Sequence, residues 1–317
     1  MEIVSTLGLE EKYQNLLKEK CSKYSVKHVE KLQDLSEEEL RQTEILLTYG
    51  NNMPEDIVCQ MKSLKWIHSG QAGIDAMPQE LLHEMGVRVT NSRGINSITI
   101  AEYVMCMLLN VERNTYDFYE SYKKKQWNME THLDEMAGKK MTILGLGKVG
   151  MELAKRAWCF DIEITGVNLT KVKSEFIQKQ YPPAELEYAV KDADYIVICM
   201  PLTEETHHMI NKNILECMSS KTVIVNVGRG PIIKTEDLVE ALKEHKIRQA
   251  ILDVLEEEPL SEISPLWDIE NLMITPHIAG DRQKSYMPRM MKILCDNLNQ
   301  YPQFDEMINP VNLEQGF

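Results

Sequence analysis

The sequence predicts an α/β protein built from two doubly wound parallel-sheet domains, and three observations carry that prediction. Short apolar runs alternate with amphipathic helical stretches. The alternation begins twice, near the N-terminus and again after residue 140. Only the second round opens on a glycine signature, GLGKVG at 145–150. Repeated β-α units require parallel strands with crossover helices, and 317 residues exceed what one core usually serves.

In the second round, MTIL (141–144), IEITGV (162–167), YIVICM (195–200), TVIVNV (222–227), QAILDV (249–254) and LMIT (272–275) read as buried strands, short and rich in Ile and Val. Helical patterns such as VGMELAKRAWCF and TEDLVEALKEH separate them, the latter with Thr235 as its expected N-cap and acids in its first turn. In the first round, EIVSTL, EILLTY, LKWIHS and VRVTN are the strands, and LEEKYQNLLKEK, PEDIVCQM and PQELLHEM the helices. A single long helix is expected from Ile98 to Lys125, with Ile100, Val104, Met107, Leu108 and Val111 on its apolar face. The domain boundaries fall at its start and near GDRQ, giving 1–97 with 283–317 as one domain and 98–282 as the other. The last helical stretch, SYMPRMMKILCDNLN, is expected to return to the first domain.

A net charge of −14 argues against nucleic acid or an anionic membrane as the main partner. The longest apolar runs are too short to span a bilayer, and MEIVSTLGLEEKYQ lacks the basic start and apolar stretch of an export signal. Seven scattered cysteines without a C-x-x-C pair fit reduced thiols in the cytoplasm, and no metal site is expected. TKVK, KKK at 123–125 and the pair His207–His208 read as solvated or structural positions.

The glycine signature follows a strand and opens a helix, the context that gives it meaning. Gly145 permits the tight turn, Gly147 lets backbone approach a pyrophosphate, and Gly150 lets helix and strand pack closely. The helix N-terminus then offers free amides and partial positive charge to the phosphates. NAD sites place a carboxylate roughly 20 residues on, at the end of the second strand. Here Asn168 stands there, followed by Thr170, Lys171 and Lys173. The missing carboxylate and the nearby lysines favour NADP over NAD.

Three residues past late strands suit chemistry beside a nicotinamide: Arg229 in VNVGRGP, between glycines that leave it room, Glu258 in DVLEEEP and His277 in ITPHIAG. Hydride addition to a ketone creates an alkoxide that needs a proton, and histidine is the usual donor. A neighbouring carboxylate favours the imidazolium. An arginine grips an α-carboxylate and polarises the adjacent carbonyl.

These segments, with LKWIHSGQAGID, VTNSRGINSITIAEYV, PLTEETHHMIN, LDVLEEEPL and SPLWDIENLMITPHIAG, resemble the D-isomer-specific 2-hydroxyacid dehydrogenase family, NAD(P)-dependent, over nearly the whole chain, and glyoxylate/hydroxypyruvate reductase-like members in particular. The resemblance implies a Rossmann nucleotide-binding domain inserted in a flavodoxin-like substrate domain. It implies that Arg229 binds substrate, that His277 is the acid/base and that Glu258 supports it. Asp253 would face the nicotinamide, and Thr99, Lys148, Val149, Pro201, Thr206, Val227 and Gly280 would join the dinucleotide site. Gln71, Ala72 and Gly73 would offer backbone amides to the substrate carboxylate in a cleft that closes between the domains, and the helix from 98 would help form a homodimer. Gly70, Gln71 and Asn96 depart from common family residues and leave the identity of the oxo acid open. The resemblance also admits phosphoglycerate dehydrogenase, disfavoured because SGQAGID has no basic cluster for a phosphate and no regulatory extension follows. Formate dehydrogenase is disfavoured by length. A dinucleotide sensor like the C-terminal binding protein corepressors remains the alternative from another class, because such proteins keep the same three polar residues.

Overall fold

The computed structural model describes residues 2–20, 23–130, 133–280 and 284–314, so Cys21 and the 282/283 boundary expected from sequence lie outside the described residues. Contacts divide the chain into two compact units, Met1–Ile95 with Lys284–Phe317 and Asn96–Gln283.

In the first unit, β1 (Glu2–Ser5), α1 (Glu11–Lys20), β2 (Ser25–His28), α2 (Glu37–Gln42), β3 (Thr43–Thr48), α3 (Glu55–Val58), β4 (Trp66–Ser69), α4 (Gln79–Glu84) and β5 (Arg88–Asn91) follow one another. The five strands pair in parallel in the order β2-β1-β3-β4-β5, the flavodoxin-like order. Ile3, Ile45, Leu47 and Trp66 bury themselves on one face, and Val4, Leu46, Ile67 and Val89 on the other. That two-residue period is what a doubly covered parallel strand requires. Two elements exceed the expectation from sequence. β2 is an edge strand with alternately exposed and half-buried side chains, so it has no apolar run to announce it. α2 is announced by Ser36 and Glu39, which close a reciprocal capping box.

The second unit begins with α5 (Ser97–Glu112) and α6 (Thr115–Lys123), continues through β6 (Lys140–Leu144), α7 (Lys148–Trp158), β7 (Glu163–Val167), β8 (Lys179–Tyr181), α8 (Leu186–Val190), β9 (Tyr195–Ile198), α9 (Lys212–Glu216), β10 (Val223–Asn226) and α10 (Thr235–Lys243), and ends with β11 (Gln249–Leu252) and β12 (Leu272–Ile274). Its seven strands form a parallel sheet in the order β12-β11-β10-β9-β6-β7-β8, the Rossmann order with one added edge strand, whose topological switch lies between β6 and β9. Tyr195, Val197, Val223 and Val225 pack on one face, and Ile196, Ile198 and Ile224 on the other.

Two expectations are corrected. The helix expected over 98–125 is broken: Asn114 takes a left-handed conformation at φ 44° and separates α5 from α6. Asparagine is among the few residues that visit this region readily. Only α5 has a buried face, formed by Ala101, Val104, Met105, Leu108 and Val111. Thr235 is not the N-cap of α10. Lys234 occupies that position, and the Thr235 amide is satisfied by the Glu256 carboxylate at 3.0 Å.

The last helix, α11 (Tyr286–Gln300), belongs to the first unit, where Met290, Met291, Leu294 and Leu298 pack with Ile3 and Trp66. At the amino edge of the larger sheet, Glu112 is 1% exposed. Its carboxylate accepts from Arg248 Nη1 at 3.0 and 3.2 Å, from the Tyr195 hydroxyl at 3.0 Å and from Lys139 Nζ at 3.4 Å. Among the described residues, no helix is long and apolar enough to cross a membrane.

Candidate active site

The strands of the second unit stop earlier than their apolar runs. Cys199–Met200, Val227, Asp253–Val254 and Thr275 have already left the sheet, and the residues beyond them gather at its carboxyl edge, where open α/β sheets bind ligands. After β6, Gly145 turns with φ +97°, and a Cβ there would sit 2.8 Å from the Met200 amide nitrogen. A Cβ on Gly150 would fall 2.0 Å from the Gly145 carbonyl, so strand and helix could not approach as they do. Gly147, the N-cap of α7, is different: a Cβ there would meet nothing within 4 Å. The exposed Gly147 and Lys148 and the half-buried Val149 thus present open space in front of helix amides that have no carbonyl of their own turn to bond. The cradle fits a pyrophosphate.

Asn168 lies at the end of β7 as expected, but its side chain has a structural task that sequence reasoning missed. Its oxygen accepts the Leu146 amide at 3.1 Å, and its amide donates to the Thr170 carbonyl at 2.9 Å. It therefore ties the glycine turn to the loop that carries the exposed Thr170 and Lys171. In the loop after β9, the Thr206 hydroxyl donates to the Pro201 carbonyl at 2.8 Å and accepts from the Thr203 amide at 2.7 Å, which closes that loop on itself. Thr99, Val227 and Gly280 are half-buried in the same unit.

Arg229 follows β10 and is half-buried, with Nη1 donating to the Gly228 carbonyl at 2.9 Å. The fully buried Asn226 shapes this turn, donating to the Arg229 carbonyl at 2.9 Å and accepting from the Gly228 amide at 3.0 Å. The flanking glycines do not leave Arg229 room, as the sequence suggested. A Cβ on Gly230 would come within 1.9 Å of the Leu255 carbonyl. Glycine is needed because the Arg229 turn lies directly against the backbone that leads to Glu258. His208 adds a further tie, its Nε2 lying 2.6 Å from Glu256 Oε1. The Glu256 carboxyl is raised by burial, but hydrogen bonds from Thr235 and His208 outweigh that and hold it below the usual carboxylate range.

Glu258 and His277 meet directly. His277 Nδ1 is 2.8 Å from Glu258 Oε2, and Glu258 Oε1 accepts the Leu255 amide at 2.9 Å. An ionised carboxylate only accepts, so Nδ1 carries the proton and Nε2 is left without a protein partner among the described residues. His277 holds a left-handed backbone at φ 54°, a conformation that a non-glycine residue keeps only when its surroundings enforce it. Asp253 is the enforcer. Its buried carboxylate accepts from the Thr275 hydroxyl at 2.6 Å and from the Ile278 and Ala279 amides at 2.9 Å each, while its carbonyl accepts the His277 amide at 2.9 Å. The Tyr103 hydroxyl donates to Thr275 at 2.6 Å, and burial is the main cause that pushes its pKa up to about 12.

In the first unit, Gln71, Ala72 and Gly73 follow β4, with Gln71 and Gly73 half-buried and Ala72 exposed. The Ser92 amide donates to the Gln71 carbonyl at 3.1 Å, and Asn91 Nδ2 donates to the Ala72 carbonyl at 2.7 Å. In a trans peptide the N–H points opposite to the carbonyl. Fixing these two carbonyls on residues 91–92 therefore aims the Ala72 and Gly73 amides the other way, as an anion-binding pair requires. The Gln71 side chain is committed to the Tyr49 carbonyl at 2.7 Å and to Asn51 Oδ1 at 3.2 Å. Neither Asn91 nor Ser92 was singled out from sequence, although both lie in the VTNSRGI segment.

The family described as D-isomer specific 2-hydroxyacid dehydrogenase, NAD binding domain, matches residues 105–279, more than half of the chain. A glyoxylate/hydroxypyruvate reductase B of Yersinia pestis bv. Antiqua (strain Nepal516) is 30% identical over 266 residues, covering 82% of this chain and 81% of the relative. A D-3-phosphoglycerate dehydrogenase of Methanocaldococcus jannaschii is 32% identical over 252 residues, 78% of this chain; the match spans only 48% of that relative. Among solved structures, a D-isomer specific 2-hydroxyacid dehydrogenase family protein from Aeromonas salmonicida subsp. salmonicida A449 superposes with a TM-score of 0.85 at 26% identity, covering 98% of each chain. With the Rossmann cradle and the histidine–carboxylate pair in place, these likenesses assign the chain to the D-isomer-specific 2-hydroxyacid dehydrogenases, an oxidoreductase family whose matched domain binds NAD.

Proposed function

We propose that the protein reduces small 2-oxo acids, such as glyoxylate, hydroxypyruvate or a branched-chain analogue, to D-2-hydroxy acids, with NADPH preferred to NADH. The observation that carries this reading is the 2.8 Å contact between His277 Nδ1 and Glu258 at the carboxyl edge of a dinucleotide-type sheet.

Gly147 and the first-turn amides of α7 hold the pyrophosphate, and Thr170 with Lys171 takes the 2′-phosphate that the missing carboxylate at Asn168 would otherwise repel. When bound, the reduced nicotinamide supplies the hydride. Arg229 grips the substrate carboxylate and polarises the neighbouring carbonyl. The Ala72 and Gly73 amides of the first unit form a carboxylate-binding pair. His277 Nε2 gives its proton to the oxygen that becomes the hydroxyl, and Glu258 stabilises the imidazolium before transfer and orients the neutral ring after it. Water returns the proton to Nε2. Asp253 keeps the His277 backbone in its left-handed conformation throughout.

No lysine or arginine occurs between Ile67 and Met77, which argues against a substrate phosphate at this loop and ranks phosphoglycerate lower. The six described cysteines are all unpaired, in keeping with a cytoplasmic setting. A homodimer is part of the same reading: Tyr119, Tyr122, Trp127 and Met129, close in sequence, are exposed by 59%, 77%, 92% and 83%, large apolar groups that a symmetric partner copy would cover. Light scattering should give twice the chain mass, and Trp127→Asp with Tyr122→Asp should return it to a monomer.

The deciding experiment follows loss of reduced-nicotinamide absorbance with glyoxylate, hydroxypyruvate, pyruvate and 2-oxoisocaproate, each with NADPH and NADH. Turnover with at least one acid, faster with NADPH, is the expected result. Dinucleotide binding without turnover across the panel would instead favour the sensor.

A further inference from the structure

Beneath the Gln71–Gly73 loop lies a chain of buried polar side chains to which the reaction as proposed gives no role. His68 is fully buried in β4, and Thr90 and Ser92 are 2% and 0% exposed. Trp66 Nε1 is 3.0 Å from Thr90 Oγ1, Thr90 Oγ1 is 2.9 Å from His68 Nδ1, His68 Nε2 is 3.3 Å from Ser92 Oγ, and Ser92 Oγ is 2.9 Å from the Ser69 carbonyl. Both ends of this chain have fixed polarity. An indole nitrogen only donates and a carbonyl only accepts. Ser92 therefore spends its single hydroxyl proton on Ser69 and must accept from His68, so Nε2 carries the ring proton. Thr90 accepts from Trp66 and donates to the bare Nδ1. Every hydrogen bond then runs one way, from Trp66 to Ser69, and a second ring proton could be accepted at Nδ1 only if Thr90 turned its own hydroxyl proton away.

The chain ends on the substrate loop. Ser92, the residue His68 donates to, is the one whose own amide fixes the Gln71 carbonyl, while the Gly70 amide is held by the Thr48 carbonyl at 2.8 Å. We propose that His68 is a positioning residue for the substrate-carboxylate loop: a neutral, Nε2-protonated imidazole that sets the orientation of Ser92 and so the aim of the Ala72 and Gly73 amides. The role given to those amides rests on the proposed 2-oxo acid reading; the state of the imidazole does not. Burial supports it, pushing the His68 pKa down to about 3.

Two measurements test the inference separately. Nitrogen-15 NMR of the full protein reads the ring directly, and the expected result is a neutral Nε2–H tautomer unchanged from pH 5 to pH 8. An Nδ1–H tautomer, or titration of His68 within that range, would overturn the proposal whether or not any 2-oxo acid is a substrate. The second measurement compares His68→Gln, whose side-chain amide can still donate to Ser92, with His68→Asn, which is too short to reach it. With glyoxylate, Asn should raise KM by about tenfold with kcat kept within about twofold, because a carboxylate contact made equally before and during reaction is lost; Gln should restore most of KM. Oxamate should shift the Ala72 and Gly73 amide resonances in wild type and less in the Asn variant. Equal behaviour of the two variants in KM and in the oxamate titration would refute the positioning role, and folding of each is checked by a cooperative urea transition with the wild-type slope.

Discussion

The Asn168 side-chain oxygen lies 3.1 Å from the Leu146 amide, and the other end of the same amide holds the Thr170 carbonyl. The residue expected to select the dinucleotide thus also shapes the glycine turn before α7. Asn168→Asp keeps an acceptor for Leu146 and places a negative charge where a 2′-phosphate would lie. Fluorescence titration should show NADPH weakened by about tenfold or more, with NADH changed far less. Equal losses for both dinucleotides would remove Asn168 from the choice between them.

His277→Asn removes the proposed proton donor without disturbing the glycine turn. Turnover should fall roughly 100-fold or more, with NADPH affinity nearly unchanged. Glu258→Gln should cost less, about tenfold in kcat, because a neutral amide oxygen can still accept from Nδ1 but supplies no charge. A steady-state comparison of the two variants checks the order. If Glu258→Gln proved the more damaging, Glu258 and not His277 would have to carry the proton.

Glu112 is buried, and the cations that neutralise it, Arg248 and Lys139, are half-buried. Removing the carboxylate leaves Arg248 and Lys139 without their shared counter-charge and Tyr195 without an acceptor, and burial with Glu112 beside it already raises the Tyr195 pKa. Glu112→Ala should destabilise the second unit by about 2 to 3 kcal/mol, because Arg248 reaches solvent and Lys139 keeps Asp134 at 2.6 Å. Urea unfolding measures this, and a loss below about 1 kcal/mol would show that water or rearrangement satisfies the cations.

His68 makes stability depend on pH in a definite direction. Its folded pKa, about 3, lies below the ordinary histidine value of 6.5, so the unfolded chain takes up a proton that the folded one refuses. The contribution is full above pH 6.5 and is lost as pH falls from there towards 3. The urea midpoint of the wild type should decline over that window by an amount corresponding to up to one proton, and His68→Gln should lack that component. An identical decline in the variant would mean that other groups cause it.

Much of this molecule is legible in its sequence. Parallel strands covered on both faces must be apolar throughout, so the Ile- and Val-rich runs revealed both sheets except where a strand is short and at an edge, as with β2 and β8. Glycines cannot be exchanged where backbone touches backbone, and proton transfer beside a nicotinamide calls for histidine with a carboxylate. GLGKVG, Arg229, Glu258 and His277 therefore stand out with no structure at all. The tertiary structure alone decided the partners of polar groups far apart in the chain. Asn168 meets Leu146 across 22 residues, Thr275 meets Asp253 across 22, His68 meets Ser92 across 24 and Arg248 meets Glu112 across 136. Hydrophobic periodicity records only the side of an element that is buried; which donor faces which acceptor depends on sheet order and loop path, and those exist only once the chain has folded.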